Sequence, residues 1–179
     1  VDALIFCLRV ENRYPECVDL ARQALPKLGL SPSSANVAPL GLDCALRLPA
    51  DAPGRAEALA SLEADVRTIL SNSRLPLSAD DRSSLFEALV DAREDAKDEA
   101  GARAAARQWV EYLDGVAASL TDPEQRTALD PNRLGAYRAA GEIEKAIPML
   151  EQSEKAFPQD YNPPARLAAV YLRLKRYDE

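Results

Sequence analysis

Few residues in this chain could perform chemistry. The 179-residue sequence contains no histidine, the side chain most often used for general acid–base catalysis and metal ligation. Its three cysteines, Cys7, Cys17 and Cys44, form no CxxC motif, and its seven glycines are scattered without a phosphate-binding motif. The sequence therefore predicts no enzymatic activity, no metal site and no cofactor.

The three cysteines allow two interpretations. Cys7 and Cys17 fall on the packing faces of predicted helices, where cysteine behaves as a small apolar side chain. We therefore expect Cys7, Cys17 and Cys44 to be reduced and at least two of them to be buried. The alternative is that Cys7 and Cys17 form a redox pair that serves another domain.

Charge and hydropathy exclude two classes of partner. The net charge of −7 and the isoelectric point near 4.8 argue against a nucleic-acid binder, which needs a basic surface. The sequence has no apolar stretch of the roughly 18 residues that a membrane span requires. Apolar residues make up 47% and charged residues 28% of the chain, which is typical of a globular protein.

Two charged patterns are candidates for partner binding. One is acidic and has the spacing of a single helix face, whereas the other is basic and lies on two successive first helices of the predicted hairpins. The acidic residues are Glu87, Asp91 and Glu94, and the basic residues are Arg138, Arg166 and Arg173. An ordinary solvated helix face is the alternative interpretation of both patterns.

The elements that must position these residues are predicted to be helices. Only 6% of the residues are aromatic, and Leu167, Val170, Tyr171 and Leu174 have helical spacing. Tyr171 lies 34 residues after Tyr137, which indicates a repeating unit, and in the earlier unit a second helix follows the one that contains Tyr137. The opening residues supply another such unit, in which Cys17 corresponds to Ala146 and Ala21 to Leu150.

This period and its marker residues resemble the tetratricopeptide repeat (TPR) family. The residues that carry the resemblance are Tyr137, Gly141, Ala146 and Pro158 in one unit, and Leu167, Ala168, Tyr171 and Tyr177 in the next. The resemblance implies an all-α solenoid of about nine or ten helices in antiparallel hairpins, with a right-handed superhelical twist. A single domain then covers 1–179, with repeats at 1–29, 35–72, 78–120, 131–158 and a partial repeat at 161–179.

The spacing between repeats is irregular near residue 120. Thr121 and Glu124 match a capping box, and Asp130-Pro131 matches a helix start. We therefore expect a short additional helix near 122–129. Since the sequence ends on a half repeat, we expect a piece of a longer solenoid, whose uncapped end leaves homo-oligomerisation open.

In TPR proteins the first helices of the hairpins line a concave groove that binds peptides, so the resemblance implies a non-catalytic scaffold for a protein or an extended peptide. The chaperone-adaptor class uses lysine and asparagine in that groove to bind a terminal carboxylate. Here Glu87 and Asp91 occupy equivalent positions, which argues against that partner class.

A weaker resemblance links residues 77–113 and 147–179 to the repeat tails of bacterial proteins with an N-terminal thioredoxin-like domain. It implies an alternative function, an accessory domain of a thiol–disulfide oxidoreductase whose CxxC motif lies outside this chain. It also implies a location in the cell envelope, whereas a free-standing scaffold would be cytoplasmic.

Overall fold

The structure is a computed structural model that describes Val1–Asp178, and over this range it contains helices and no β-strand. The all-α prediction is confirmed. The described residues form ten α-helices, within the predicted number, and one 3-10 helix at Ile143–Lys145. The α-helices are α1 Asp2–Val10, α2 Tyr14–Leu28, α3 Pro32–Leu46, α4 Arg55–Ser71, α5 Ala79–Asp95, α6 Glu99–Ser119, α7 Pro123–Ala128, α8 Asp130–Ala140, α9 Ala146–Ala156 and α10 Asn162–Leu174.

The helix bounds can be compared with the predicted repeat intervals. Two α-helices fall on each of the intervals 1–29, 35–72, 78–120 and 131–158, although α3 begins at Pro32 and α8 at Asp130, before their intervals. The partial repeat at 161–179 holds α10, and its last residue, Glu179, lies outside the described residues.

The chain divides into two compact units, Val1–Ala102 and Arg103–Glu179. In the first unit, α1 packs against α3 and α3 packs against α5, so these alternate helices form a row. Helices α2 and α4 pack against each other and against α3. Helix α3 is therefore the centre of this unit, and its residues Val37, Leu42 and Ala45 are fully buried.

Serine residues fix the starts of the central helix α3 and of its neighbour α5. The Ser31 hydroxyl accepts a hydrogen bond from the Ser34 backbone N–H, and Ser78 does the same for Asp81. Each cap satisfies an N–H group that has no partner within its helix, and such caps contribute about 1 kcal/mol. The starts of α3 and α5 are thus specified locally by sequence.

The prediction that all three cysteines are reduced is wrong, because Cys17 of α2 and Cys44 of α3 form a disulfide bond. Both half-cystines are fully buried, whereas Cys7 is free and exposed. The alternative Cys7–Cys17 pairing is also wrong. The bond joins two helices that pack closely, since a Cβ atom on Gly41 would lie only 2.6 Å from the Ala21 Cβ.

In the second unit α9 packs against both α8 and α10. Ala136, Leu150 and Val170, one from each of these helices, are almost fully buried. Helix α8 is followed by Gly141, which has φ 75°, a left-handed conformation that glycine adopts with little steric cost.

The predicted short helix near 122–129 is confirmed as α7. Its cap differs from the prediction, because the Asp122 side chain, and not Thr121, accepts a hydrogen bond from the Glu124 backbone N–H at 2.9 Å. Asp130 does not cap α8 either. It is the first residue of that helix, and its side chain is buried.

Candidate functional site

A cavity of about 570 Å³ in the first unit is lined by the three helices that pack in a row. Arg9 comes from α1. Seven lining residues, from Ala35 to Arg47, come from α3 and its C-terminal end, and the remaining residues come from α5. We call this cavity the first-helix groove. Its full lining is Arg9, Ala35, Asn36, Pro39, Leu40, Asp43, Leu46, Arg47, Ser84, Glu87, Ala88 and Asp91.

An ionic cluster on the α1–α3 side of the groove is centred on Asp43. Arg9 forms a short ion pair with Asp43, and the Arg47 Nε donates a hydrogen bond to the same carboxylate at 2.9 Å. Burial favours the neutral form of this carboxyl, but the hydrogen bonds from Arg47 and Arg9 outweigh it and lower the pKa of Asp43. Two guanidinium groups therefore share one carboxylate, which leaves excess positive charge.

The α5 side of the groove carries two of the three predicted acidic residues. Glu87 and Asp91 are exposed and line the groove one helical turn apart. Glu94 is also exposed on α5, but it does not line the groove. The structure thus brings Glu87 and Asp91 to a cavity and leaves Glu94 outside it.

The groove floor is apolar and includes a proline within α3. Ala35, Pro39 and Ala88 are buried at the cavity surface, and Leu40 is half-buried. Pro39 lies inside α3 and has no N–H group, so it cannot donate the usual helical hydrogen bond to the Ala35 carbonyl. The floor therefore offers apolar contact area for a ligand.

The three predicted basic residues lie in the second unit. Arg138 on α8 and Arg173 on α10 are exposed, and Arg166 is half-buried. Arg166 lines a separate cavity of about 340 Å³ together with Glu124, Asp160 and the aromatic side chain of Phe157. The surroundings of Arg166 therefore contain two acidic side chains. That Arg138, Arg166 and Arg173 together bind a partner stays a prediction.

A polar cluster in the second unit is centred on Asp114. The Tyr137 hydroxyl donates a hydrogen bond to Asp114 Oδ1 at 2.6 Å, and Arg133 Nη2 donates to the same oxygen at 2.8 Å. Burial, followed by the hydrogen bond to Asp114, raises the pKa of Tyr137 to about 12. The cluster ties α6 to α8 within this unit.

Asp130 is the least expected side chain in the second unit. It is 1% exposed, and within residues 1–178 neither carboxylate oxygen has a hydrogen-bond partner. It lines a cavity of about 90 Å³ with Ser153 and Thr127, whose Oγ1 lies 3.1 Å from the Ser153 Oγ. Burial raises the pKa of Asp130, although Ser153, Arg133 and Arg166 act in the opposite direction.

Sequence reasoning missed Arg9, Asp43 and Arg47 as groove residues. Asp43 and Arg47 have the i,i+4 spacing of a helical ion pair, and this signal was available in the sequence. The contribution of Arg9 was not, because it lies 34 residues from Asp43 and meets it only through the packing of α1 on α3.

No group of three or more metal-ligating side chains occurs in the described part of the chain. Within the same residues, every helix is too short or too polar to cross a lipid bilayer. Comparisons with protein-family models, curated proteins and solved structures found no match to this chain.

Proposed function

We propose that this protein is a non-catalytic helical-repeat scaffold, a TPR-like solenoid with a right-handed superhelix, that binds a protein or an extended peptide in the first-helix groove. The observation that carries the proposal is that α1, α3 and α5, the first helices of three successive hairpins, line one cavity of about 570 Å³. This is where the TPR resemblance places a peptide.

The composition of the groove supports an extended polypeptide as the occupant. Such a segment presents alternating side chains together with unpaired backbone N–H and C=O groups. The buried Ala35, Pro39 and Ala88 offer apolar contact, and Arg47 and Glu87 offer charges. A floor that is apolar and walls that are charged provide affinity and orientation respectively.

The groove is poorly equipped for catalysis. Ser84 is the one hydroxyl-bearing side chain among its lining residues, and the chain has no histidine to activate it. The Asp43 carboxylate is held by two arginines, so it is a weak base. These features favour binding without turnover.

Photo-crosslinking tests the proposal directly. A benzoylphenylalanine residue would replace Asn36, which is exposed and lines the groove, or Ser33, which is exposed on the same helix outside it. Illumination in an extract of the source cells should attach a polypeptide at position 36 and not at position 33. Equal crosslinking at both positions, or none at position 36, would count against the groove.

A blocking variant provides the second half of the test. Asn36→Trp should fill part of the groove and abolish binding of the partner identified by crosslinking, measured by pull-down without a crosslinker, while Ser33→Trp should leave binding unchanged. The triple variant Arg138→Glu, Arg166→Glu and Arg173→Glu examines the basic surface of the second unit. Loss of capture in that variant alone would move the interaction to α8 and α10.

The disulfide favours a second candidate function, an accessory domain of a thioredoxin-like oxidoreductase in an oxidising compartment. Disulfides persist mainly in exported proteins, which suits that parentage. Because Cys17 and Cys44 are fully buried, their role here would be structural. The test is thiol exchange with a reduced thioredoxin-like domain: transfer from the native protein at the rate of an exposed disulfide would assign a redox role to this chain.

A further inference from the structure

Opposite charges occupy opposite sides of the first-helix groove. On the α1–α3 side, Arg9 and Arg47 share the single carboxylate of Asp43. The Arg47 side chain remains 46% exposed, and its pKa is raised chiefly by the hydrogen bond to Asp43. On the α5 side, the lining charges are the carboxylates of Glu87 and Asp91.

Glu87 is a charged groove residue whose side chain is not used to stabilise the fold. Its side chain is exposed on a helix, lines the cavity, and makes no ion pair or hydrogen bond within residues 1–178. Asp91 lies one turn away on the same helix and lines the same cavity. An acidic wall opposite a basic wall, across an apolar floor, is complementary to a ligand that carries both charges.

We propose that the groove selects an extended polypeptide segment with a basic side chain placed at Glu87, an acidic side chain placed at Arg47, and small apolar residues between them. This inference rests on the proposed function and names the class of partner. The apolar residues would cover Pro39 and Ala88.

Segments of a single charge fit less well. An all-acidic segment would meet the carboxylates of Glu87 and Asp91, and an all-basic segment would meet the guanidinium groups of Arg9 and Arg47. Like charges brought together at an interface oppose association and thereby set specificity. Nucleic acid is disfavoured by the same acidic wall and by the net charge of −7.

The probes are fluorescein-labelled peptides with a common apolar core of alanine, proline and leucine. One carries lysine and aspartate at the two ends of the core, in both orders and with several spacings, and two others carry only lysine or only glutamate. Fluorescence anisotropy with the full chain should show tightest binding for a peptide carrying both charges. Salt should weaken it, because screening reduces the attraction of exposed charges.

Charge exchange tests the assignment of Glu87. Glu87→Lys should weaken binding of the preferred peptide roughly threefold to tenfold, since it replaces one exposed attraction by a repulsion. Replacing lysine by glutamate in the peptide should restore binding to this variant. Glu94→Lys is the matched control, because it makes the same charge change on α5 outside the groove, and it should have less effect.

Two negative outcomes are distinguishable. If peptides bind and Asn36→Trp blocks them, but Glu87→Lys acts no more strongly than Glu94→Lys, the charge rule is overturned and the scaffold function stands. If no peptide binds and Asn36 also gives no crosslink in cell extract, the scaffold function fails as well.

Discussion

Asp43 in the first unit and Asp130 in the second show two ways of placing an aspartate in a helical protein. Asp43 is partly exposed, accepts hydrogen bonds from two arginines and has a lowered pKa. Asp130 is 1% exposed, has no hydrogen-bond partner in the described residues and has a raised pKa. The first charge stabilises its unit, whereas the second costs free energy.

The two units also differ in what holds their helices together. The first has a disulfide between α2 and α3 and a glycine at their closest approach. The second relies on side-chain packing and on hydrogen bonds around Asp114. The contrast is therefore between a unit that is cross-linked covalently and a unit that carries an internal electrostatic cost. Each of the following predictions tests what stabilises or destabilises one of the two units.

Breaking the disulfide should have the largest effect. Cys17→Ser with Cys44→Ser removes a cross-link that closes a separation of 27 residues, and a loop of this size is expected to contribute about 3 kcal/mol. Urea denaturation should show that loss in the free energy of unfolding of the first unit. Cys7→Ser, which changes the exposed free thiol, serves as the control and should leave stability unchanged.

Two glycine substitutions should act in opposite directions. Gly41→Ala places a Cβ 2.6 Å from the Ala21 Cβ and 3.2 Å from Leu62 Cδ2, so overpacking of about 1–3 kcal/mol should outweigh the helix propensity gained. Gly115→Ala on α6 meets nothing within 4 Å and should stabilise the protein by up to about 1 kcal/mol. Thermal denaturation of both variants would measure the difference. A stable Gly41→Ala variant would contradict the tight α2–α3 crossing.

The two aspartates should respond with opposite signs to replacement by asparagine. Asp130→Asn removes a buried charge and should stabilise the second unit by about 1 kcal/mol at neutral pH. Asp43→Asn weakens two charge-assisted hydrogen bonds and should destabilise the first unit by a similar amount.

The pH dependence provides an internal check on Asp130. Because its folded-state pKa is raised, the folded protein binds this proton more tightly than the unfolded chain does. The destabilisation is then absent below about pH 4, grows as the pH rises, and is complete above the folded-state pKa. The gain from Asp130→Asn should follow the same course in denaturation curves. A gain that is equal at pH 4 and pH 7 would show that the folded-state pKa of Asp130 is not raised and that the gain does not come from removing its charge.

The smallest effect is expected at Tyr137. Tyr137→Phe removes the hydrogen bond to Asp114 while Arg133 still donates to that carboxylate, so the loss should be about 1 kcal/mol or less. In the wild type, ultraviolet absorbance should show one tyrosine that ionises near pH 12, and Tyr137→Phe should remove that step. Since ionisation is disfavoured in the folded state, stability should fall as the pH rises from about 10 toward 12.

The helices could be predicted from the sequence because their signals are local. The 3.6-residue periodicity and the turn residues between segments indicated an all-helical chain, and the irregular spacing near 120 indicated α7. Glu87 and Asp91 could be placed on one helix face for the same reason. These statements require only the geometry of a single helix.

The disulfide, the contribution of Arg9 to the groove and the burial of Asp130 could not be predicted in this way. Cys17 and Cys44 lie on different helices, and they meet only because α2 crosses α3 at Gly41. The sequence around Asp130 has the pattern of a helix start, which usually exposes the acid. Its burial depends on Ser153 and on the packing of α8 and α9. Each of these features arises from contacts between elements.

The disulfide has a mechanical consequence for the groove. Ala35, Asn36, Pro39, Leu40 and Asp43, which form most of the α3 wall, lie in the chain between Cys17 and Cys44. A force that pulls the ends of the chain apart can extend the segments outside this covalent ring, but it cannot draw out the ring itself. At about 3.5 Å per residue, the disulfide prevents the extension of roughly 90 Å of chain. The force passes through the disulfide and not through the chain between Cys17 and Cys44. A scaffold under tension would therefore keep this part of α3 in place while the flanking helices unfold.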